Sequence, residues 1–183
     1  QPIGNWNVSK VTIMQAMFGG CAFFNQPIKT QEVTVDGSAY TAWDVSNVTD
    51  MFQMFTAAHT FNQPIGNWDV SKVTEMGRMF QDAFSFNQSI GNWNVSNVED
   101  MSAMFVGGPH GGNAFNKNVS TWSVQSSDNL TDMFFRAPAL LAAYGGVAGF
   151  GDTPTHEFFN KPKITQANIQ TAVNAWVADP TTT

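Results

Sequence analysis

Charge is scarce in this sequence. Only 12% of its 183 residues are Asp, Glu, Lys or Arg, and the formal net charge is -6. With a pI near 4.7, the chain offers no basic face to the phosphates of nucleic acid or of an anionic membrane. Cysteine is scarcer still: Cys21 stands alone, so an intrachain disulfide framework is excluded. No apolar run reaches the ~18 residues of a transmembrane helix, so membrane insertion of this segment is not expected. Catalytic signatures are missing as well. There is no Gly-x-Ser-x-Gly, His-Glu-x-x-His or P-loop, and His59, His110 and His156 share no zinc-ligand spacing. The expectation is a chain that is not an enzyme and carries no cofactor.

What the sequence does have is 16 Phe, 9 Met and 6 Trp, and they recur in order. Trp stands at 6, 43, 68, 93 and 122, with spacings of 37, 25, 25 and 29. Phe-Asn pairs at 24, 61, 86, 115 and 159 are spaced by 37, 25, 29 and 44. The base period is 25 and the excesses are insertions. Val8, Val45, Val70, Val95 and Val124 form one apolar column. Val11, Val48, Val73, Val98 and Leu130 form a second, and Met14, Met51, Met76, Met101 and Met133 a third. Met17, Met54, Met79 and Met104 precede Phe18, Phe55, Phe80 and Phe105, with the small residues Cys21, Ala58, Ala83 and Gly108 three positions on. Such columns predict stacking, because one repeat cannot bury its own apolar face alone. Cys21 is then expected to be a buried core thiol.

The fold class expected is α/β, a leucine-rich-repeat-like solenoid of roughly 25-residue coils over 1–137. Each coil would carry short parallel strands, and Met-x-x-Met-Phe, with its i, i+3, i+4 spacing, would form a helical turn or two. Within a 12-residue insertion over 29–40, Val33-Thr-Val35 and Asp36-Gly37 predict a hairpin with a type I′ turn. A four-residue Gly-rich insertion lies near Gly107–Gly112, and three extra residues are expected after Val124 before Leu130. Arg136 and Ala137 stand where the next Met and Phe are due. Residues 138–158 read as an irregular loop. Residues 159–183 read as a partial repeat and a capping or linking helix, with Thr165 as N-cap, Ile169, Val173, Trp176 and Val177 on one face, and Pro180 as stop. Gln1-Pro2-Ile3-Gly4-Asn5-Trp6 matches the stretches at Gln63 and Gln88, which follow Phe-Asn, so the chain is expected to be a piece of a longer array.

The units resemble those of the BspA-like leucine-rich-repeat surface proteins, in the subgroup reading Phe-Asn-Gln-x-(Ile/Leu)-x-x-Trp-(Asp/Asn)-Val-Ser-x-Val-Thr-x-Met-x-x-Met-Phe. The match runs from Gln1 to Met133 and resumes at Phe159-Asn160. The resemblance implies a secreted or cell-surface protein used in adhesion, surface coats or host contact, with no catalytic residues to carry over.

Polar columns complete the reading. Asn25, Asn62, Asn87, Asn116 and Asn160 suggest a buried amide ladder that satisfies neighbouring backbone. Asn7, Asp44, Asp69, Asn94 and Ser123 suit side-chain hydrogen bonding at a turn. Asp50, Glu75, Asp100 and Asp132 form an acidic column that reads as a solvated stripe; Ca²⁺ is the alternative, although no Asp-x-Asp-x-Asp-Gly loop is present. Among the Asn-x-Ser/Thr sequons, Asn47 and Asn129 share a column with Lys10, Lys72 and Asn97 and are the best candidates for glycosylation. The expected function is that of an extracellular structural or adhesive protein, part of a longer array or filament joined through repeat ends. Its partners would be itself or neighbouring repeat segments. A module that binds a surface glycan or host protein through the insertion loops is the alternative.

Overall fold

A computed structural model of the chain describes residues 2–108 and 112–160. These hold two strands, β1 (Gln31–Val35) and β2 (Ser38–Ala42), and one helix, α1 (Pro138–Tyr144). The rest of the described chain is turn, bend, isolated bridge or loop. The expected α/β solenoid of parallel strands and helical turns is therefore corrected. The one sheet among the described residues is antiparallel, and no Met-x-x-Met-Phe segment is helical. The helix expected after Thr165 lies outside the described residues.

Backbone geometry explains why helical turns do not form. Two positions after the first Met of each repeat, Ala16, Gln53, Arg78 and Ala103 all adopt φ of 50 to 57°. Ala57 and Asp82 repeat that conformation four residues further on, at φ 56 and 57°. A right-handed helix excludes such residues. The i, i+3, i+4 spacing comes instead from successive turns. Met54, Thr56 and Ala58 donate their N–H groups to Met51, Gln53 and Phe55 at 3.0–3.1 Å. The alternate amides of Met51, Gln53, Phe55 and Ala57 donate to Glu75, Gly77, Met79 and Gln81 in the following repeat at 2.8–3.0 Å. Phe52 donates to Asp50 Oδ1 at 2.8 Å. Every N–H from Met51 to Ala58 is thus paired, as a buried backbone requires. The left-handed residues cost about 1–2 kcal/mol each, offset by this complete pairing.

The same geometry sets matching residues of successive repeats side by side. Isolated parallel bridges join Ile13 to Asp50, Asp50 to Glu75, Glu75 to Asp100, and Asp100 to Asn129. Phe18, Phe55, Phe80 and Phe105 stack at 5.6–5.7 Å between centroids. Phe24, Phe61, Phe86 and Phe115 form a second row at 5.8–5.9 Å. The rows meet at 3.9–4.3 Å, making an aromatic core with the buried Val, Met and Trp columns around it.

The fifth repeat needs a change of register. Met101 donates to the Asn129 carbonyl as Met76 does to Asp100, and Phe105 donates to Met133. Leu130 therefore succeeds Met101, Met133 succeeds Met104 and Phe134 succeeds Phe105. A single displacement of 29 carries Trp93 to Trp122 and Phe105 to Phe134, so no extra residues follow Val124. Arg136 and Ala137 do not stand in for Met and Phe, and Asp132 leaves the acidic column.

The insertion in the second repeat is the β1–β2 hairpin, which occupies 31–42 rather than 29–40. Asp36 and Gly37, at φ 49 and 78°, supply the two left-handed positions that a type I′ turn needs. Gln31 Nε2 donates to the Gly4 carbonyl at 3.4 Å, and the Tyr40 hydroxyl donates to the Asn5 carbonyl.

At the far side, 138–158 is not a simple loop. It contains α1 and then folds back across the fifth repeat. Phe134 donates to the Asp152 carbonyl at 2.9 Å, and the Asp132 amide to Thr153 Oγ1 at 2.8 Å. Phe150 stacks on Phe134 at 5.5 Å, and Phe158 meets it edge-on at 5.8 Å.

Candidate functional site

The Asn column works on neighbouring backbone, but at the surface. Asn25, Asn116 and Asn160 are exposed, and Asn62 and Asn87 are half-buried; the flanking Phe rings hold the interior, which leaves the amides at its rim. Asn25 Oδ1 accepts from the Asn62 amide at 3.0 Å and from Gln63 Nε2 at 2.9 Å. Asn62 repeats both bonds with Asn87 and Gln88, and Asn87 Oδ1 accepts from the Asn116 amide at 3.2 Å. Asn160 pairs through both side-chain atoms with the Val124 backbone at 3.1 Å. The side-chain amides of Asn25, Asn62, Asn87 and Asn160 are spent on the chain itself.

Tryptophan contributes a second ladder. The indoles of Trp43, Trp68, Trp93 and Trp122 donate to the carbonyls of Ile3, Ile28, Ile65 and Ile90 at 2.8–3.2 Å. After Trp6, Trp43, Trp68 and Trp93, the side chains of Asn7, Asp44, Asp69 and Asn94 accept the backbone N–H two residues on, at 3.1–3.2 Å. The bonds from Ser71 and the charge of Lys72 hold the Asp69 carboxyl below its ordinary value.

Asp50, Glu75 and Asp100 are direct neighbours. Asp50 and Asp100 cap the amides of Phe52 and Ser102 at 2.8 and 2.6 Å, and Asn129 does the same for Thr131 at 3.2 Å. A turn-capping role explains why Asn replaces Asp there. Partial burial, followed by repulsion from Asp100, Asp50 and Glu99, raises the Glu75 carboxyl. Among the described residues no group of three or more His, Cys, Asp and Glu could hold a metal ion.

Asn47 is exposed; its Nδ2 donates to the Ser9 carbonyl at 2.9 Å, and Lys72 Nζ donates to its Oδ1 at 2.6 Å. Asn129 is also exposed but belongs to the Asp100 register, so the two candidate glycosylation sites do not share a column. Cys21 is exposed rather than buried, unlike Ala58 and Ala83 of the same column. His59 stacks on Phe84 at 4.7 Å, and His156 bonds to the Gln125 carbonyl.

A cavity of about 770 Å³ lies where the Gly107 insertion meets the segment after Pro138. Phe134, Ala137, Pro138, Leu141 and Phe150 make its apolar wall, and Arg136 and Asp152 bring opposite charges to it. Sequence reasoning missed the residue that fixes this insertion. Asn113 is 1% exposed; its Nδ2 donates to the Phe80 carbonyl at 3.1 Å, and its Oδ1 accepts from Phe115 at 2.9 Å. An Asn beside Gly-Gly in an insertion gives no periodic signal.

Among the described residues no helix is long and apolar enough to cross a membrane. No curated protein and no solved structure matches the chain. The family described as "Mycoplasma protein of unknown function, DUF285" matches residues 1–36 and 29–145. That is well over half of the 183 residues, and the chain belongs to this family.

Proposed function

We propose that this chain is a structural or adhesive segment of an extracellular, BspA-like surface protein, acting through contacts between repeats rather than through catalysis. The observation that carries this reading is the allocation of polar groups. The Asn, Trp, Asp and alternate backbone amides of the repeats bond to a neighbouring repeat or to their own turn. Such a chain invests its recurring chemistry in contacts within and between its own repeats. Partners are other repeat segments, and the place of work is the cell surface or the extracellular space. The test is protease shaving of intact cells that make the protein. Release of peptides from 61–108 without lysis supports the reading, and complete protection in cells whose known surface proteins are cleaved overturns it.

The cavity beside Arg136 favours one second reading, a module that binds a glycan or host protein through its insertions. Glycan and matrix-protein arrays probed with the chain, with Arg136→Ala and with a hairpin deletion separate the two readings. A scaffold binds nothing that these changes remove.

A further inference from the structure

Polar side chains in the repeats bond to neighbouring backbone, but in the cavity between the Gly107 insertion and the segment after Pro138 two of them do not. Arg136 and Asp152 are both exposed on its wall. The Arg136 guanidinium lies 5.1 Å from the centre of the Phe135 ring. Neither it nor the Asp152 carboxylate makes a hydrogen bond or an ion pair among the described residues. Their backbones are held in place all the same. The Asp152 carbonyl accepts from Phe134 at 2.9 Å, and beside it Thr153 Oγ1 accepts from Asp132 at 2.8 Å. The insertion closes tightly on the other part of the wall, because glycine stands at each contact. A Cβ on Gly107 would lie 2.2 Å from the Arg136 carbonyl oxygen, and one on Gly112 would lie 2.1 Å from Pro138 Cγ. Two opposite charges are thus fixed at one cavity without being paired to each other.

The rest of the wall is apolar. Phe134 and Ala137 are its buried part, whereas Leu141 is 61% exposed although its neighbour Leu140 is fully buried. Among the described residues no Asn, Gln, Ser, Thr or Tyr lines the cavity, and its volume of about 770 Å³ falls in the ordinary range of ligand sites. A glycan brings many neutral hydroxyls, which a wall with two full charges and no neutral polar side chain does not satisfy. An acyl chain with one charged end pairs with Arg136 or with Asp152 and leaves the other charge against hydrocarbon. A peptide brings apolar side chains and both signs of charge together. We infer that the cavity takes a segment of a partner protein. That segment carries two adjacent large apolar side chains, an acidic residue that meets Arg136 and a basic residue that meets Asp152. The apolar pair supplies affinity by covering Leu141 and Phe150, and the two charges fix the direction in which the segment lies. The inference rests on the binding reading given above and narrows it from glycan or protein to protein.

The experiment pans a phage-displayed library of random short peptides against the full chain and against a charge-exchanged variant, Arg136→Asp with Asp152→Arg. Both side chains are exposed and unpaired, so the exchange is compatible with the fold, and an unchanged near-ultraviolet circular dichroism spectrum checks this. The full chain should enrich peptides in which an acid and a base bracket two adjacent apolar residues. The variant should enrich the same apolar pair with the acid and the base in the opposite order. Leu141→Glu should weaken the selected peptides by about tenfold or more, and this exposed substitution carries the test alone if the exchanged variant unfolds. No enrichment on the full chain overturns the inference. So does a charge order that stays the same on the exchanged variant, or undiminished binding to Leu141→Glu. If the peptides fail while a glycan-array signal is lost in Arg136→Ala, only the protein occupant is refuted. If library and arrays are both silent, the binding reading falls with it.

Discussion

The Trp68 indole donates to the carbonyl of Ile28, 3.0 Å away and forty residues earlier in the chain. That bond spans the whole β1–β2 insertion, and it is repeated by Trp43, Trp93 and Trp122. Trp68→Phe keeps most of the ring area and removes only the donor, which strands a buried carbonyl. The expected loss is about 1–3 kcal/mol in urea unfolding. Trp6→Phe serves as the control, because the Trp6 N–H meets no partner among the described residues; its change should stay within about 0.5 kcal/mol.

Gly66 belongs to the same segment. A Cβ built there would lie 2.2 Å from the Ser89 carbonyl oxygen, whereas one at Gly4 would lie 3.3 Å from that of Pro27. Backbone cannot retreat as a flexible side chain can. Gly66→Ala is expected to cost about 3 kcal/mol or more, and Gly4→Ala less than about 1 kcal/mol. Thermal melting of the two variants ranks them.

Glu75 sets a pH dependence. Burial and three acidic neighbours raise its carboxyl in the folded chain above the unfolded value. The folded state therefore favours the protonated form, and stability falls as pH rises through the folded pKa. Glu75→Gln should stabilise the chain at pH 7 by about 0.5 kcal/mol, the size of an exposed charge interaction. The gain should vanish below about pH 4, where the wild-type carboxyl is also protonated. Unfolding curves at the two pH values check both the size and the sign.

Deleting residues 31–42 restores the interval from Trp6 to the next Trp to 25. The hairpin touches the first repeat through Gln31 and Tyr40, while the Phe ladders bypass it. The shortened chain is expected to fold and to retain its near-ultraviolet aromatic circular dichroism. Loss of that signal would assign the hairpin a structural role.

The apolar columns were readable because stacking demands similar side chains at matching positions. The hairpin was readable because Asp36-Gly37 is one of the few pairs at ease with two left-handed residues. The turns were not readable. Ala, Gln and Arg occupy most of the left-handed sites, and none of these three advertises positive φ. The spacing of Met14, Met17 and Phe18 fits a helix as well as it fits successive turns. The fifth repeat misled for a different reason: Leu130 resembles a Val-column residue, and only its backbone partners identify it as the successor of Met101. The closure by Asp152 and Thr153 was also hidden, because their amide-accepting atoms are a backbone carbonyl and a common hydroxyl.

Ala103 separates the helical from the turn reading most sharply. In a helix, Ala→Gly costs about 1 kcal/mol, since glycine has the greater freedom to lose. At Ala103 the backbone sits at φ 53°, where the Cβ is the source of strain. Its N–H donates to the Thr131 carbonyl at 2.9 Å and its own carbonyl accepts from Val106 at 3.2 Å; neither bond needs a side chain. Relief of left-handed strain opposes the entropy that glycine adds to the unfolded chain. Ala103→Gly is therefore expected to be neutral or to stabilise by up to about 1 kcal/mol. A matched Ala137→Gly, at a position that has no positive φ, should destabilise. Urea midpoints for the pair decide the matter: a loss of about 1 kcal/mol at Ala103 would restore the helical turn, and a gain there alone requires the left-handed one.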